Sequence, residues 1–465
     1  MKLKLFILFI LAFVIRLIAI NQSLWLDEAT SVMAVKHLNF GEILFNFSPF
    51  DFHPPGYYFF LKFWTGIFGF SEMSVRMPSV FASILTGYFV FLIGKKISSL
   101  EVGLWATAFY LFNPLAVYYS QEARMYSITV LLLTSLLYLI LKGFRNKVLN
   151  ESYSNDQFSI SNYQKSKKHS NYLIIACLVF LSVFTFYGSV LFITSLIIYF
   201  LFKKNYQTAF YFITSLFLIL LFLSPLLLRQ LNNAKSMLNS VTNWKSVLGN
   251  ADLKNLLLIP LKFTSGRISF FPKIIYYILS GVWTMIISFF IFRGIKKSQF
   301  MGWMLLVPIV LGLIISFITP MLQYFRFIYL LPIMAVLISI GVNNRAKFVR
   351  IIILIGFIFW STIYLLTPQF HREDWKSLAY NLPRQAKVYM IISSSDALSY
   401  YRPDTHLVDV QSINQLTKLN DRLIIIPYTS EIYGVKYKDT LQDRGYKITK
   451  EKSYRGLLIE YWEKI

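Results

Sequence analysis

Long apolar runs separated by short polar gaps dominate the first 366 residues of the chain. A helix that crosses the hydrocarbon core of a bilayer needs about 20 mostly apolar residues. The first run follows Lys2 and Lys4 and has no small-x-small cleavage site, so we expect an uncleaved anchor rather than a signal peptide. The pattern predicts about eleven membrane helices, over residues 3–21, 77–94, 102–118, 125–141, 171–186, 188–202, 206–228, 274–292, 302–318, 325–342 and 349–366.

The pattern changes after about residue 366. Short apolar runs such as Val388–Ile392 and Leu423–Pro427 alternate there with polar stretches of helical character such as Tyr437–Tyr446. We therefore predict a polytopic α-helical membrane protein with two parts. The membrane core spans 1–366 and includes an outward-facing first loop at 22–76, and a small extracytoplasmic α/β domain spans 367–465. This domain is expected to cover the membrane core or to hold an acceptor.

Composition and charge support this division. Of 465 residues, 56% are hydrophobic and only 15% are charged, whereas soluble domains carry about 25% charged residues. The formal net charge of +24 is compatible with nucleic-acid binding, but the positions of the cations argue against it. They lie in alternate gaps, at Lys2/Lys4, Lys95/Lys96, Lys142 to Lys168, Lys203/Lys204, Arg293/Lys296/Lys297 and Arg345/Lys347/Arg350.

These alternate gaps set the predicted orientation. Loops rich in lysine and arginine stay in the cytoplasm, so we expect a multi-pass protein of the plasma membrane with a cytoplasmic N-terminus and an extracytoplasmic C-terminal domain. The segment 150–170 is expected to be a flexible cytoplasmic loop. The single cysteine, Cys177, excludes an intramolecular disulfide and a cysteine-based metal site.

Acidic side chains are scarce in the membrane core, and most of them fall in the predicted outward gaps. The outward acids are Asp27, Glu28, Glu42, Asp51, Glu72, Glu122 and Asp252. Asp27 and Glu28 directly follow the first apolar run, among aromatic and apolar neighbours. Acids in such a setting are costly to desolvate and are functional candidates. The alternative is a solvated start of the loop.

A second cluster precedes an aromatic helix, in Asp51-Phe52-His53-Pro54-Pro55. Two prolines stiffen this turn. Asp51 and His53 are of a type that binds a divalent metal ion, although two ligands alone do not make a site. A turn that caps the following helix explains the same residues.

A third cluster lies between two predicted spans, in Ser120-Gln121-Glu122-Ala123-Arg124-Met125-Tyr126. An arginine such as Arg124 can bind phosphate through two parallel hydrogen bonds. The alternative is that Glu122 and Arg124 pair with each other. Further cations are Arg16 inside the first span, Arg76 before Pro78, and Arg326 at the tenth span. They either extend to the membrane surface or converge on an anionic lipid headgroup.

The motifs together resemble those of the GT-C integral-membrane glycosyltransferases, in the broad group of protein O-mannosyltransferases and the bacterial aminoarabinose transferase of lipid A. The similarity in order and spacing covers roughly the first 130 residues, and the rest agrees in hydropathy and layout. The matching pieces are Arg16, Trp25-Leu26-Asp27-Glu28-Ala29, His53-Pro54-Pro55-Gly56-Tyr57-Tyr58, Arg76-Met77-Pro78-Ser79, Tyr119-Ser120-Gln121-Glu122-Ala123-Arg124-Met125-Tyr126 and the weaker Arg326-Phe327-Ile328-Tyr329-Leu330-Leu331-Pro332.

The resemblance implies an outward-facing active site, a polyprenyl-phosphate sugar donor and inverting transfer to a hydroxyl or similar acceptor. It makes Asp27 the catalytic base with Glu28 as its neighbour. The implied donor-phosphate or substrate-binding residues are Arg124, Tyr126, Glu122, Arg76, Arg326 and His53. Some relatives bind a metal near the donor. This chain has Phe52-His53 where the aminoarabinose transferases have an acid beside a lysine, so a divalent ion remains an open alternative.

Two other classes fit a basic polytopic chain. A lipid-linked-glycan flippase or transporter would place polar groups near the bilayer midplane, whereas the acids here cluster near the predicted outer surface. A non-catalytic scaffold would use the C-terminal domain to bind a partner. Within the enzyme class, a polymerase or ligase acting on lipid-linked glycans shares most of these features. The expected partners are the lipid-linked donor, an extracytoplasmic acceptor and membrane lipids, but not nucleic acid.

Overall fold

A computed structural model describes residues 2–143, 163–241, 243, 248–342, 347–414 and 420–465. Most of the predicted loop at 150–170 and Arg345 fall outside this part of the chain. In the membrane part, π-helical Ile43–Phe47 and 3-10-helical Tyr324–Leu330 accompany the α-helices. The α-helices of the membrane part are α1 (Lys2–Leu17), α2 (Leu26–His37), α3 (Phe40–Glu42), α4 (Ser48–Asp51), α5 (Gly56–Phe68), α6 (Glu72–Ile97), α7 (Leu100–Leu111), α8 (Pro114–Ser120), α9 (Tyr126–Gly143), α10 (Tyr163–Thr185), α11 (Ser189–Phe202), α12 (Tyr206–Ser240), α13 (Leu253–Ser265), α14 (Lys273–Lys297), α15 (Gln299–Ser316), α16 (Leu331–Gly341) and α17 (Lys347–Leu366).

Every predicted apolar run coincides with helix. Within the described residues, 7 helices are long and apolar enough to cross a membrane, or 8 if the bent pair α7 and α8 is one crossing. The other predicted spans coincide with α1, which has 16 residues, and with the shorter apolar helices Tyr172–Thr185 and Ser189–Phe202. The predicted fold class is confirmed, and the number of about eleven crossings stays a prediction.

The break between α7 and α8 positions the segment that forms one side of the candidate site. The two helices meet at an angle of 59° because Pro114 has no N–H to continue the ladder of α7. Asn113 caps the new helix by accepting hydrogen bonds from the N–H groups of Leu115 and Ala116. Its amide also donates to the carbonyl of Phe263 at 2.7 Å. The bend therefore redirects the chain into the short helix α8, which leads into the turn at residues 121–125.

The turn that follows, between α8 and α9, is buried along its length. Buried backbone groups need hydrogen-bond partners, and side chains from other elements supply them. Ala123 N–H donates to Glu28 at 2.7 Å, Ser79 donates to the carbonyl of Glu122 at 2.6 Å, and the Gln121 amide donates to the carbonyl of Arg16 at 2.9 Å. This turn is therefore fixed from three sides, and it carries Glu122 and Arg124.

The C-terminal domain contains a five-stranded mixed sheet in the order β2-β1-β3-β5-β4. Parallel pairing joins β1 to β2 and β3, whereas β5 runs antiparallel to β3 and β4. The predicted apolar runs become β1 and β3, and the predicted helix becomes α20. The elements are α18 (Trp375–Tyr380), β1 (Lys387–Met390), α19 (Asp396–Tyr401), β2 (His406–Asp409), β3 (Arg422–Ile425), α20 (Tyr437–Asp443), β4 (Tyr446–Tyr454) and β5 (Leu457–Lys464).

Side chains of this domain bind the segment around the start of α2. The hydroxyl of Tyr401 accepts a hydrogen bond from Leu24 N–H at 2.8 Å, and Lys376 N–H donates to Ser23 at 3.1 Å. The Lys376 ammonium also lies 2.9 Å from Glu72. The sheet domain therefore packs on the first loop of the membrane part, where Asp27 lies.

Candidate active site

Asp27 and Glu28 stand in the first turn of α2 but face different environments. Successive residues of an α-helix point about 100° apart, so one can face a cleft while the other faces the core. The Asp27 side chain is 40% exposed, and that of Glu28 is 1% exposed. Of the two adjacent acids, Asp27 is therefore the one that a substrate can reach.

Glu28 is held in a fully hydrogen-bonded ion pair with Arg76. The guanidinium of Arg76 donates to both carboxylate oxygens, at 2.8 and 2.5 Å. Its remaining donors bind backbone carbonyls of Ile20, Gln22 and Ser23. This pair joins the end of α1, the start of α2 and α6. Glu28 and Arg76 thus contact each other and the backbone, and neither reaches the exposed face of Asp27.

Arg124 is the buried cation closest to Asp27. Its Nη2 lies 3.8 Å from Asp27 Oδ2. Its Nη1 donates to the Ser31 hydroxyl at 3.0 Å, to the Asp27 carbonyl at 3.3 Å and to the Tyr58 hydroxyl at 3.5 Å. Burial lowers the pKa of Arg124, but Tyr58 and Asp27 raise it above its usual value. The guanidinium therefore remains charged beside Asp27.

The second sequence cluster supports Arg124 from the other side. His53 Nδ1 lies 2.9 Å from Asp51 Oδ2, and the Tyr58 hydroxyl donates to the same oxygen at 2.5 Å. His53 Nε2 lies 3.4 Å from Arg124 Nη2, which fits a neutral imidazole that carries its proton on Nδ1. Burial raises the pKa of Asp51, but His53 and Arg124 hold it at about 2.

This arrangement does not fit a metal ion at Asp51 and His53. Asp51 Oδ2 is bound by His53 and Tyr58, and the free ring nitrogen of His53 faces the guanidinium of Arg124, a cation that would repel a divalent ion. Among the residues that the structure describes, no group of three or more His, Cys, Asp or Glu side chains could hold a metal ion. The two residues instead orient Arg124.

Glu122 pairs with a residue that the sequence did not point to. Arg372 donates two hydrogen bonds to Glu122 Oε1, at 3.1 and 2.8 Å, so the alternative of a Glu122–Arg124 pair is wrong. The guanidinium carbon of Arg372 also lies 3.6 Å from the ring centroid of Trp25, a cation–π contact. Burial raises the pKa of Glu122, and Arg372 opposes that rise.

Tyr126, Arg326 and Arg267 continue the same region. The ring of Tyr126 lies 6.0 Å from that of Phe325, which places Arg326 at the adjacent position. Arg326 donates to the carbonyl of Pro320 at 3.4 Å and has no carboxylate within ion-pair distance among the described residues. Arg267 donates to the hydroxyl of Tyr118. Both arginines are partly exposed, so they are cations available to an anionic ligand.

The sequence motifs thus predicted only part of the cluster. Asp27, His53, Arg124 and Tyr126 meet across three separate segments, whereas Glu28 and Arg76 form a separate buried pair. Tyr58 lies at the end of the second motif, and the sequence does not indicate that its hydroxyl joins Asp51 to Arg124. Arg372 and Arg267 lie in segments with no recognisable motif, and only the fold brings them to Tyr118 and Glu122.

Comparison with solved structures shows the same overall fold. The crystal structure of ArnT from Cupriavidus metallidurans in the apo state superimposes with a TM-score of 0.62 at 10% identity, covering 98% of this chain and 97% of that one. The same protein bound to undecaprenyl phosphate gives a TM-score of 0.60 at 11% identity, with 98% and 97% covered. The archaeal oligosaccharyltransferase AglB from Archaeoglobus fulgidus, in complex with an inhibitory peptide and a dolichol-phosphate, gives 0.54 at 11% identity, with 99% and 74% covered.

The comparison of sequences is more local. Residues 52–153 match the family model described as dolichyl-phosphate-mannose-protein mannosyltransferase, a range that contains His53, Arg76, Glu122 and Arg124. No curated protein sequence matches the chain. The resemblance deduced from the motifs is confirmed: the chain is similar to GT-C glycosyltransferases of the O-mannosyltransferase and aminoarabinose transferase type.

Proposed function

We propose that the chain is an inverting glycosyltransferase that moves a sugar from a polyprenyl-phosphate carrier to a hydroxyl of an extracytoplasmic acceptor, with Asp27 as the base. One observation carries this proposal. Asp27 is a half-exposed carboxylate beside a buried arginine, whereas the adjacent Glu28 is saturated by hydrogen bonds. A carboxylate with free lone pairs beside fixed positive charge suits proton abstraction during transfer from an anionic donor.

The proposed step moves one proton and exchanges one bond. Asp27 takes the proton of the acceptor hydroxyl as its oxygen attacks the anomeric carbon of the donor sugar. The bond from that carbon to the phosphate oxygen breaks on the opposite face, and its electron pair stays on the lipid phosphate. Attack opposite the leaving group inverts the anomeric centre. The products are the glycosylated acceptor and the polyprenyl phosphate.

Arginines supply the charge that the leaving phosphate needs. Arg326 and Arg267 are partly exposed, and we assign them to the phosphate. Arg124 lies between Asp27 and His53 and stabilises both the carboxylate and the developing negative charge. Tyr126 follows Arg124 by two positions and packs against Phe325, the neighbour of Arg326. Glu28 and Arg76 are assigned to positioning, since their hydrogen bonds end on each other and on backbone groups.

The polyprenyl-phosphate donor is supported by the relatives with this fold. ArnT is described bound to undecaprenyl phosphate, and AglB is described with a dolichol-phosphate and a peptide. Both ligands are polyprenyl phosphates. We extend that donor class to this chain because its site also presents several arginines. The orientation that places the site outside the plasma membrane rests on the alternating cationic gaps.

A transporter is the competing hypothesis, and the placement of the charges disfavours it. Arg76 and Arg326 lie within the first turns of their helical segments, and Arg124 and Arg372 lie between helices. A transport site is typically built at the middle of broken helices. A transfer assay with labelled lipid-linked sugar in proteoliposomes separates the two, because a transporter moves the label without forming a covalent product.

The direct test is the substitution Asp27→Asn in purified protein. We expect transfer to fall by about 10²–10⁴-fold, the usual contribution of a general base, with unchanged yield and melting temperature. Asp252→Asn is the matched control, because Asp252 is an exposed acid that caps α13 and asparagine caps equally well. Transfer at the unaltered rate by Asp27→Asn would remove Asp27 from the mechanism.

A further inference from the structure

The segment 371–374 joins the last membrane helix to the sheet domain and delivers one side chain into the site. Arg372 donates to Glu122 from two nitrogens and lies over the ring of Trp25 at 3.6 Å. Trp25 stands two residues before Asp27 and directly before α2. Arg372 therefore connects the buried turn that carries Glu122 and Arg124 with the start of the helix that carries Asp27.

The backbone that presents Arg372 is held by the turn between β4 and β5. Arg455 Nε donates to the carbonyl of Arg372 at 2.6 Å, and Asp374 N–H donates to the carbonyl of Arg455 at 2.9 Å. These two bonds in opposite directions fix the segment on both sides of residue 373. The turn lies at the far end of the chain, 83 positions from Arg372.

A glycine makes this close approach possible. Gly456 has a φ of +72°, and a Cβ built on it would lie 3.0 Å from Glu373 Cγ. A residue with a side chain would be strained in this conformation and would press on the segment. The turn therefore lies directly against residues 372–374, where the two backbone hydrogen bonds hold it.

We propose that the β4–β5 turn is a positioning element of the active centre: through Arg455 it holds Arg372 on Glu122 and Trp25, and so fixes the start of α2 beside Arg124. The inference rests on the proposed function, since it concerns the same site. The C-terminal domain then completes the catalytic centre, and the expectation that it covers the core or holds an acceptor becomes secondary.

The physical reason lies in the charge of Glu122. Burial raises the pKa of this carboxyl group, and the nearby carboxylates of Glu28 and Asp27 raise it further, whereas Arg372 and a hydrogen bond with Tyr118 lower it. If the segment moves, Glu122 loses its counter-charge and gains a proton. Arg372 then no longer links Glu122 to Trp25, the 121–125 turn is held less firmly against the start of α2, and Arg124 loses its alignment with Asp27.

The test compares substitutions within the sheet domain. Arg455→Ala removes the hydrogen bond to the Arg372 carbonyl, whereas Arg455→Lys keeps a donor of similar reach. The matched control is Arg422→Ala, which removes an arginine of the same sheet whose ion pair with Glu463 is exposed and whose loss costs little. Each variant is assayed for kcat, for the KM of the lipid-linked donor and for the pH dependence of kcat/KM.

We expect Arg455→Ala to lower kcat by about 10–100-fold, as for a misaligned catalytic group, with a donor KM changed by less than about 3-fold. The acidic limb of its pH profile moves to higher pH, because Glu122 protonates more easily. Arg455→Lys recovers most of kcat, and Arg422→Ala equals the unaltered protein. A purely structural role would lower the yield of folded protein without moving the pH profile.

Arg372→Lys provides a second route that leaves the sheet domain intact. Lysine keeps the charge but loses the paired donors and the flat contact with Trp25, so we expect a lower kcat and the same shift in pH profile. The inference is overturned if Arg455→Ala keeps the kcat and the pH profile of the unaltered protein. If Arg455→Ala does not fold, the same result in Arg372→Lys overturns it. That result leaves the proposed function standing if Asp27→Asn is inactive, whereas an active Asp27→Asn overturns the proposed function itself.

Discussion

Two adjacent acids of the same helix turn, Asp27 and Glu28, have opposite environments. Glu28 is buried, and its carboxylate binds Arg76 and a backbone N–H. Asp27 is 40% exposed and lies 3.8 Å from Arg124, beyond hydrogen-bond distance. A saturated pair holds segments together, whereas a loosely paired, accessible carboxylate retains lone pairs for a proton. Neighbours in sequence can thus divide positioning and chemistry between them.

The largest expected effect comes from breaking the buried pair. Glu28→Ala leaves Arg76 as an uncompensated charge in the core, which typically costs about 3–5 kcal/mol. We expect little folded protein, measured as monodisperse yield and melting temperature in detergent. Asp27→Ala is the comparison, and it should unfold within a few degrees of the unaltered protein. Equal loss of stability in both variants would contradict the division of roles.

The second prediction concerns the arginine beside Asp27. Arg124→Ala removes a fixed positive charge at the reacting centre. Loss of one such hydrogen-bond donor typically lowers kcat by about 10²–10³-fold. Arg124→Lys keeps the charge but cannot reach Ser31, Tyr58 and the Asp27 carbonyl together, so we expect partial recovery. The measurement is steady-state transfer with separate kcat and donor KM. An unchanged kcat in Arg124→Ala would exclude this arginine from the reaction.

A smaller effect is expected for the cation on the other side of the site. Arg326 makes one long hydrogen bond to a backbone carbonyl, so Arg326→Ala should fold normally. Loss of one charge-assisted hydrogen bond to phosphate costs about 1.5–3 kcal/mol, or roughly 10–100-fold in kcat/KM for the donor. Arg422→Ala, which removes an arginine with an exposed ion pair in the sheet domain, serves as control. A normal donor KM and kcat in Arg326→Ala would place the phosphate elsewhere.

The smallest effect concerns stability in acid. The pKa of Asp51 is held at about 2, below the usual 3.8 of an aspartate, so this carboxylate stabilises the fold above about pH 4. That contribution is lost as the pH falls from about 4 to about 2, and it amounts to about 2 kcal/mol. Asp51→Asn should therefore show a flatter dependence of melting temperature on pH in this range. An unchanged slope would show that Asp51 is not paired as described.

The sequence predicted the parts of this molecule that local pattern determines. Apolar runs located the long apolar helices that the structure describes, and three short motifs located Asp27, His53, Arg124 and Tyr126. The role of each residue within a motif is harder to predict from the sequence, because the environment of Glu28 depends on Arg76, which is 48 positions away. The sequence of acids and arginines looks the same whether their side chains are buried and fully hydrogen-bonded or exposed to a substrate.

The missing parts depend on long-range contacts. Arg372 meets Glu122 across 250 positions, and no local pattern indicates such a pair. The sequence pattern does not predict the β4–β5 hairpin, because the residues of β4 are mostly exposed and largely polar or charged and give no clear apolar alternation. A strand at the edge of a sheet often has this composition. The turn that holds Arg372 could therefore be found only in the folded chain.

The most direct measurement is donor binding and turnover by Asp27→Asn in the same preparation. We expect the dissociation constant for the polyprenyl-phosphate sugar to stay within a few-fold of the unaltered protein, because the arginines remain, while transfer falls by about 10²-fold or more. Transfer at the full rate would contradict the assignment of Asp27 as the base. Loss of both binding and transfer through unfolding would contradict the separation of Asp27 from the structural pair of Glu28 and Arg76.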